Sequence, residues 1–174
     1  MTARKKPGTG EWMKYIRWRG FETERKLARK LLELGIFARR MPVSGMYESR
    51  RKLSLPDVLG ITRDNLILAF QLKSTEKGRY AFRAYELIST IDFVTSALKF
   101  GLRAKGYAIV RFVNGNRSYW AGTVINPQDV RVLEVGGKKR YEFVSREVAE
   151  KYKFNTVQHG YPLETLLRKL GIVR

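Results

Sequence analysis

Asp57, Gln71 and Lys73 are side chains whose types and spacing could do chemistry together. Asp57 follows Pro56, and Gln71 and Lys73 lie fourteen and sixteen residues further along the chain. Residues two apart on a β-strand point to the same side, so Gln71 and Lys73 share one face. If a strand that starts at Asp57 pairs antiparallel with the apolar strand 66–74 through the turn TRDN, Asp57 lies beside both side chains.

These residue types match what phosphodiester cleavage requires. Carboxylates hold a divalent ion, which polarises the phosphoryl oxygen and helps to make hydroxide from water. A nearby ammonium can orient that water or offset charge in the transition state. In the ordinary structural interpretation, Asp57 forms a turn and Lys73 extends to solvent. A polar pair at the end of an apolar strand favours the site, because burying an unpaired cation is costly.

The surrounding pattern predicts an α/β protein with a mixed sheet. A leucine repeat at i, i+4 and i+7 predicts an amphipathic helix over 21–34, and further helices are predicted over 84–99 and 163–170. The predicted strands are 36–40, 57–61, 66–74, 107–113, 119–125, 131–135 and 141–144.

The charge of the chain predicts a nucleic-acid partner. Among 174 residues, 35 Lys and Arg stand against 16 Asp and Glu, for a formal net charge of +19. Self-repulsion of that size predicts a polyanionic partner. The length suits one domain, so we predict a basic N-terminal arm over 1–18 and a single nuclease domain over 19–174. Residues 12–19 interleave aromatic and cationic side chains, which could contact DNA or could pack the Trp rings onto the domain.

Several classes of function are disfavoured. The chain has no cysteine, which excludes disulfides, zinc–thiolate sites and thiol catalysis. It has neither a bilayer-length apolar run nor a signal peptide, so we expect no membrane association and a cytoplasmic, nucleoid-associated protein. The absence of a P-loop and of a dinucleotide-binding glycine fingerprint predicts no nucleotide cofactor. His159, the only histidine, is assigned no role.

The motifs around these residues resemble the archaeal Holliday-junction resolvases, a family of the PD-(D/E)xK nuclease superfamily. The superfamily signature is PD, a strand and then (D/E)xK, and this chain has PDVLG at 56–60 and AFQLKST at 69–75. The resolvases open with Gly-x-x-x-Glu-Arg-x-Leu on the first helix and continue with a Ser-Gly loop. The chain has GFETERKL at 20–27 and VSG at 43–45, and the resemblance covers about residues 18–172.

The resemblance implies a fold and a set of site residues. The fold is the PD-(D/E)xK, or restriction-endonuclease-like, α/β fold, with a central mixed β-sheet flanked by helices. Glu24, Asp57 and Gln71 are implied to bind a catalytic Mg²⁺ ion, with Mn²⁺ as an alternative. Ser44 and Lys73 complete the implied catalytic set.

Two features depart from the family pattern. Gln71 stands at the usual position of an acid, and an amide gives the ion one oxygen but no charge, so affinity for the ion should fall. Glu22 and Glu48 are substitute acids that we rank below Glu24 and Asp57. The loop between Ser44 and Asp57 is longer than usual and carries three consecutive cations that could bind phosphates.

The implied function is that of a metal-dependent DNA endonuclease, a homodimer that resolves four-way junctions by paired nicks in DNA recombination and repair. Its partner is branched double-stranded DNA, recognised by shape and mainly through phosphates. Phe93, Phe100 and Trp120 are candidate interface residues, with a core role open for each. The predicted DNA-binding surface comprises Arg17, Arg25, Arg50, Arg51, Lys52, Lys77, Arg79 and Arg83.

Three other functions remain open. The chain could be another PD-(D/E)xK endonuclease, of the restriction or transposition type. It could be a non-catalytic junction-binding relative, because Gln71 replaces an acid. A basic RNA-binding or structural protein is the third, although such a protein does not need the Gln71 and Lys73 pair.

Overall fold

A five-stranded mixed sheet forms the centre of the computed structural model, which describes residues 10–41 and 55–173. The strand order is β1-β2-β3-β5-β6. The β3–β5 pair is parallel, and the other neighbours are antiparallel. The strands of this sheet are β1 (Phe37–Arg40), β2 (Val58–Ile61), β3 (Ile67–Thr75), β5 (Ala104–Asn114) and β6 (Arg117–Ile125).

Both faces of the sheet are covered, which explains why β3 is apolar almost throughout. One face packs against α1 (Gly10–Glu33), which buries Leu27 and Leu31 in a cluster with Phe70. The opposite face packs against α2 (Ile88–Lys99) and the 3₁₀ turn Ala84–Leu87 before it. The predicted α/β layer fold is therefore present.

Helix α1 begins eleven residues before the predicted start of the first helix. The predicted boundary between an arm and a domain, at 18/19, falls inside α1. Contacts with residues at the end of β3 hold this part of the helix. The Tyr15 hydroxyl donates to Glu76 at 2.6 Å, Arg19 pairs with Glu76 at 3.0 Å, and Arg19 Nε donates to Ser74 Oγ at 3.2 Å. The helical start at 21 was wrong, because these tertiary contacts stabilise further turns ahead of the leucine repeat.

The remaining elements surround the sheet. Short elements that the sequence pattern did not reveal include β4 and β9, which pair antiparallel although about 70 residues separate them. The predicted hairpin across Gly136 and Gly137 is present, and both glycines adopt positive φ angles, of 57° and 70°. The bounds of these elements are β4 (Arg79–Ala81), β7 (Val130–Val135), β8 (Lys138–Phe143), α3 (Arg146–Lys151), β9 (Lys153–Asn155), α4 (Thr156–His159) and α5 (Leu163–Lys169).

One candidate interface residue lies in the core of the protein. Trp120, a candidate interface residue for which a core role was left open, is 3% exposed and belongs to the core cluster, so the core role is the one that the structure supports. Within residues 10–41 and 55–173, no helix has the length and hydropathy needed to span a bilayer.

Candidate active site

The pairing of β2 with β3 brings Asp57 next to Gln71. Val58 lies opposite Phe70 in the register, and the Asp57 backbone N–H donates to the Phe70 carbonyl oxygen at 2.9 Å. One carboxylate oxygen of Asp57, Oδ2, accepts hydrogen bonds from Gln71 Nε2 and from the Leu72 backbone N–H, both at 2.7 Å. The predicted antiparallel pairing and the predicted contact between Asp57 and Gln71 are both present.

Glu24 approaches this pair from helix α1. Its side chain is 15% exposed, and Arg40 at the end of β1 lies 3.6 Å away. Burial and, to a smaller degree, the negative charge of Asp57 raise the pKa of Glu24 to about 7, although the charge of Arg40 opposes both effects. Burial also raises the pKa of Asp57, against the hydrogen bond from Leu72 and the charge of Lys73. Two carboxylates held close together with too little positive charge form a site that a cation would stabilise.

The donor groups fit a divalent cation that prefers oxygen ligands. Among the described residues, no group of three or more His, Cys, Asp or Glu side chains could hold a metal, so the donor set consists of two carboxylates and the Gln71 amide. The Gln71 oxygen accepts a hydrogen bond from the Ser89 hydroxyl at 3.1 Å, and its nitrogen faces Asp57. A half-turn of the amide would direct the oxygen toward Asp57 and the nitrogen toward Ser89, whose hydroxyl can also accept. Only the observed orientation gives Asp57 a donor; in the turned orientation two acceptor oxygens face each other, which a cation bound between them would stabilise.

Lys73 is held by a partner that the sequence pattern did not reveal. Its Nζ lies 3.1 Å from Glu86, on the 3₁₀ turn before α2. Glu86 also accepts from the Tyr80 hydroxyl at 2.9 Å and from the Arg83 backbone N–H at 2.8 Å. Burial opposes the charge of Glu86, yet the Arg83 N–H, Lys73 and Tyr80 together hold its pKa below the usual range. An acid three residues after the N-cap Arg83 is the signal that could have identified Glu86.

The described cations of the predicted DNA-binding surface are all exposed. Arg17 precedes Glu24 by seven residues, so both lie on one face of α1, about 10 Å apart along the helix axis. Arg25 pairs with Glu22 at 3.7 Å. Lys77 and Arg79 line an open groove of about 660 Å³ beside β4 and β9. The remaining cation is Arg83, whose guanidinium lies 3.5 Å from the Tyr85 hydroxyl.

Other predicted residues lie elsewhere or outside the described residues. Glu22, a substitute acid, pairs with Arg25 and with Lys26 on α1. His159 accepts a hydrogen bond from the Asn155 backbone N–H at 3.1 Å, consistent with a packing role. The predicted residues outside the described part of the chain are Ser44, Glu48, Arg50, Arg51 and Lys52.

Comparisons with known proteins assign the chain to one family. The model of the family described as archaeal Holliday junction resolvase (hjc) matches residues 15–170. A search of curated proteins finds no match. A solved structure with a similar chain trace is the Archaeoglobus fulgidus Hjc, a Holliday junction resolvase from an archaeal hyperthermophile. It has 19% sequence identity and a TM-score of 0.48, and the alignment covers 88% of this chain and 96% of that chain.

The family match includes Glu24, Asp57, Gln71 and Lys73, so the residues that meet at β2 and β3 lie within it. It agrees with the central mixed sheet flanked by helices and supports a junction resolvase function. The predicted PD-(D/E)xK fold and the predicted family are confirmed: the chain belongs to the archaeal Holliday junction resolvase family.

Proposed function

We propose that this protein is a divalent-metal-dependent endonuclease that cuts four-way DNA junctions by paired nicks, acting as a homodimer. The observation that supports this most directly is the hydrogen bond between Gln71 and Asp57 at the β2–β3 pair, with Glu24 of α1 near enough for the charge of Asp57 to raise its pKa and with Lys73 on the same face of β3 as Gln71. The net charge of +19 matches a polyanionic substrate, recognised mainly through its phosphates. A DNA substrate also implies a nucleoid-associated protein.

Each residue of the site has a distinct role in this proposal. Glu24, Asp57 and the Gln71 amide oxygen would hold the metal. When bound, Mg²⁺ or Mn²⁺ polarises the phosphoryl oxygen and lowers the pKa of water. Lys73 offsets negative charge that develops on the phosphate, and Glu86 holds the Lys73 ammonium in position.

The homodimer is proposed from an exposed apolar surface near the end of α2. Phe100 is 85% exposed, and Leu98 and Leu102 beside it are about half exposed (49% and 51%). Exposed apolar side chains in this concentration favour an interface between subunits. Phe93, the other remaining candidate, is half-buried on the same helix. A two-fold dimer would present two active sites to a junction that is itself two-fold.

Cleavage of a panel of DNA substrates with Mg²⁺ tests the proposed function. The wild-type protein should introduce paired symmetric nicks into a four-way junction and leave nicked and linear duplexes of the same sequence largely intact. Efficient cleavage of linear duplex would indicate a restriction- or transposition-type endonuclease on the same fold. Sedimentation of the protein alone should give the mass of a dimer, and a monomer would contradict the proposed assembly.

A non-catalytic junction-binding protein is the second candidate, and the orientation of Gln71 favours it. The amide nitrogen, which cannot bind a metal, faces Asp57. In that case the wild-type protein binds the junction and leaves it intact at every Mg²⁺ concentration tested. Replacing Gln71 by Glu would then create the missing acid and produce cleavage.

Removing the charge of Glu86 should slow cleavage without weakening DNA binding. In Glu86→Gln, an amide oxygen still accepts from the Arg83 N–H, but Lys73 loses its charged partner. Because outer partners of catalytic groups typically contribute 10- to 100-fold, we expect single-turnover cleavage to fall by roughly that factor. The matched control is Tyr80→Phe, which removes another hydrogen bond to Glu86 and leaves the ion pair intact. Equal losses of cleavage rate in both variants would show that the packing of the 3₁₀ turn, and not the ion pair between Lys73 and Glu86, determines the rate.

A further inference from the structure

An exposed tryptophan stands on the N-terminal part of helix α1, outside the site described above. The Trp18 side chain is 58% exposed, whereas Tyr15 and Trp12 on the same helix are half-buried. An indole ring exposed to this degree presents a large flat apolar face, with a polar N–H at its edge, on which a planar partner could stack.

The Trp18 ring is supported on one side by a neighbouring ring. It stacks on Tyr15, with ring centroids 6.2 Å apart and an interplanar angle of 25°. Tyr15 is itself held by its hydrogen bond to Glu76 and by the Arg19 guanidinium, 5.6 Å from its ring centroid. Little freedom is therefore lost when a flat group stacks on the indole, which makes binding more favourable.

Cations surround the exposed ring. Lys14 and Arg25 lie four residues before and seven residues after Trp18, so they share its face of the helix, and Arg17 is its neighbour in the chain. Two acids share this face by the same spacing, Glu11 and Glu22, and Glu22 is paired with Arg25 and Lys26. An aromatic ring bordered by cations suits a nucleic acid, whose bases stack and whose phosphates are negative.

The position of Trp18 relates it to the active site. Six residues separate it from Glu24, which corresponds to about 9 Å along the helix axis. One DNA strand advances about 3.4 Å per nucleotide, so this length spans roughly three nucleotides. Six residues also place Trp18 about 120° around the helix axis from Glu24, on a neighbouring face, so it can reach bases a few nucleotides from a phosphate held at Glu24 and Asp57.

We propose that Trp18 stacks on a base that the branch point of the DNA leaves unstacked, while Lys14 and Arg17 bind neighbouring phosphates. This inference rests on the proposed function, because only a branched substrate offers such a base within duplex arms. A second copy of the chain is a less favourable occupant of this surface. A two-fold interface would place the same cationic face against itself, and like charges would repel.

Equilibrium binding of two DNA substrates tests the proposal. Dissociation constants are measured at one salt concentration for a four-way junction and for a fully paired duplex of equal length. Since stacking of one base on an aromatic ring is worth about 1–3 kcal/mol, Trp18→Ala should weaken junction binding by roughly 5- to 150-fold. Duplex binding should change by less than about twofold, and Trp18→Phe should restore most of the junction affinity because it keeps an aromatic face.

A fluorescent base reports the contact directly. 2-Aminopurine placed beside the branch point should be quenched more strongly in the wild-type complex than in the Trp18→Ala complex. The matched control is Phe37→Ala on the edge strand β1, which removes an aromatic side chain of similar exposure (56%) and should leave the affinity for both DNAs unchanged. Thermal unfolding of each variant shows whether it is folded.

Three outcomes would overturn the inference. They are wild-type junction affinity in Trp18→Ala, an equal loss for junction and duplex, or conversion of a dimer to a monomer by this substitution. A wild-type protein that does not distinguish the junction from duplex would instead contradict the proposed function.

Discussion

The Asp57→Asn protein is expected to bind a four-way junction with wild-type affinity and to cleave it more slowly by at least about 10²–10³-fold. Removing one preorganised electrostatic group typically costs this much in rate, and Asp57 supplies one of the two carboxylates of the site. The side-chain oxygen of an asparagine can still accept from the Leu72 N–H, so the strand pairing is kept. Burial disfavours the charged form of Asp57, so the neutral substitution should not destabilise the metal-free fold.

Single-turnover cleavage and junction binding measured on the same preparations test this expectation. The control is Asp64→Asn, the same substitution in the turn between β2 and β3, where the side chain is 65% exposed and pairs with Arg103. That variant should cleave at the wild-type rate. Undiminished cleavage by Asp57→Asn would mean that the reaction takes place at a different site.

The second large effect is expected in Gln71→Glu, which places a third carboxylate beside Asp57 and Glu24. Additional ligand charge tightens the binding of hard cations, so the Mg²⁺ concentration for half-maximal cleavage should fall by roughly tenfold. Without metal, the same substitution removes the donor that now satisfies Asp57 and adds a like charge in a buried position. The free energy of unfolding should therefore fall by about 1–3 kcal/mol in the presence of a chelator.

Denaturant unfolding with chelator and with Mg²⁺ separates these two effects. The loss of stability in Gln71→Glu should be reversed by Mg²⁺, because the cation neutralises the added charge. The control is Gln71→Met, which has a similar size but neither a donor nor a charge, and whose loss of stability relative to the wild type should not be reversed by Mg²⁺. If Gln71→Glu matches the wild type in both stability and Mg²⁺ dependence, Gln71 does not contact the ion.

The pairing of Asp57 with Gln71 is the part of the site that could be predicted from local sequence. A short turn joins β2 to β3, so their antiparallel pairing is a local event. The two-residue period of a strand then decides which side chains face the same way. Glu24 could not be found in this manner, because it lies 33 residues before Asp57, and only the family motif GFETERKL identified it.

The side chains that pair with Glu24, Lys73 and Gln71 could not be predicted from the sequence. Arg40 pairs with Glu24, Glu86 pairs with Lys73, and the Ser89 hydroxyl donates a hydrogen bond to Gln71. These contacts form only when β1 has joined the sheet and α1 and the start of α2 have packed on it. No repeat or motif in the sequence links these residues. Their pairing depends on the relative placement of whole elements, so it is a property of the tertiary structure.

The N-terminal part of α1 shows the same limit. Residues 12–19 interleave aromatic and cationic side chains, so the sequence was assigned to a basic arm ahead of the first helix. The structure continues the helix there because Tyr15 and Arg19 bind Glu76, about 60 residues further along the chain.

By itself, the sequence determined the net charge, the order of the main elements and the local register that joins Asp57 to Gln71. Only the tertiary structure decided which distant side chains complete the site and which aromatic ring stays exposed, because those contacts arise from packing between elements and leave no periodic signal in the chain.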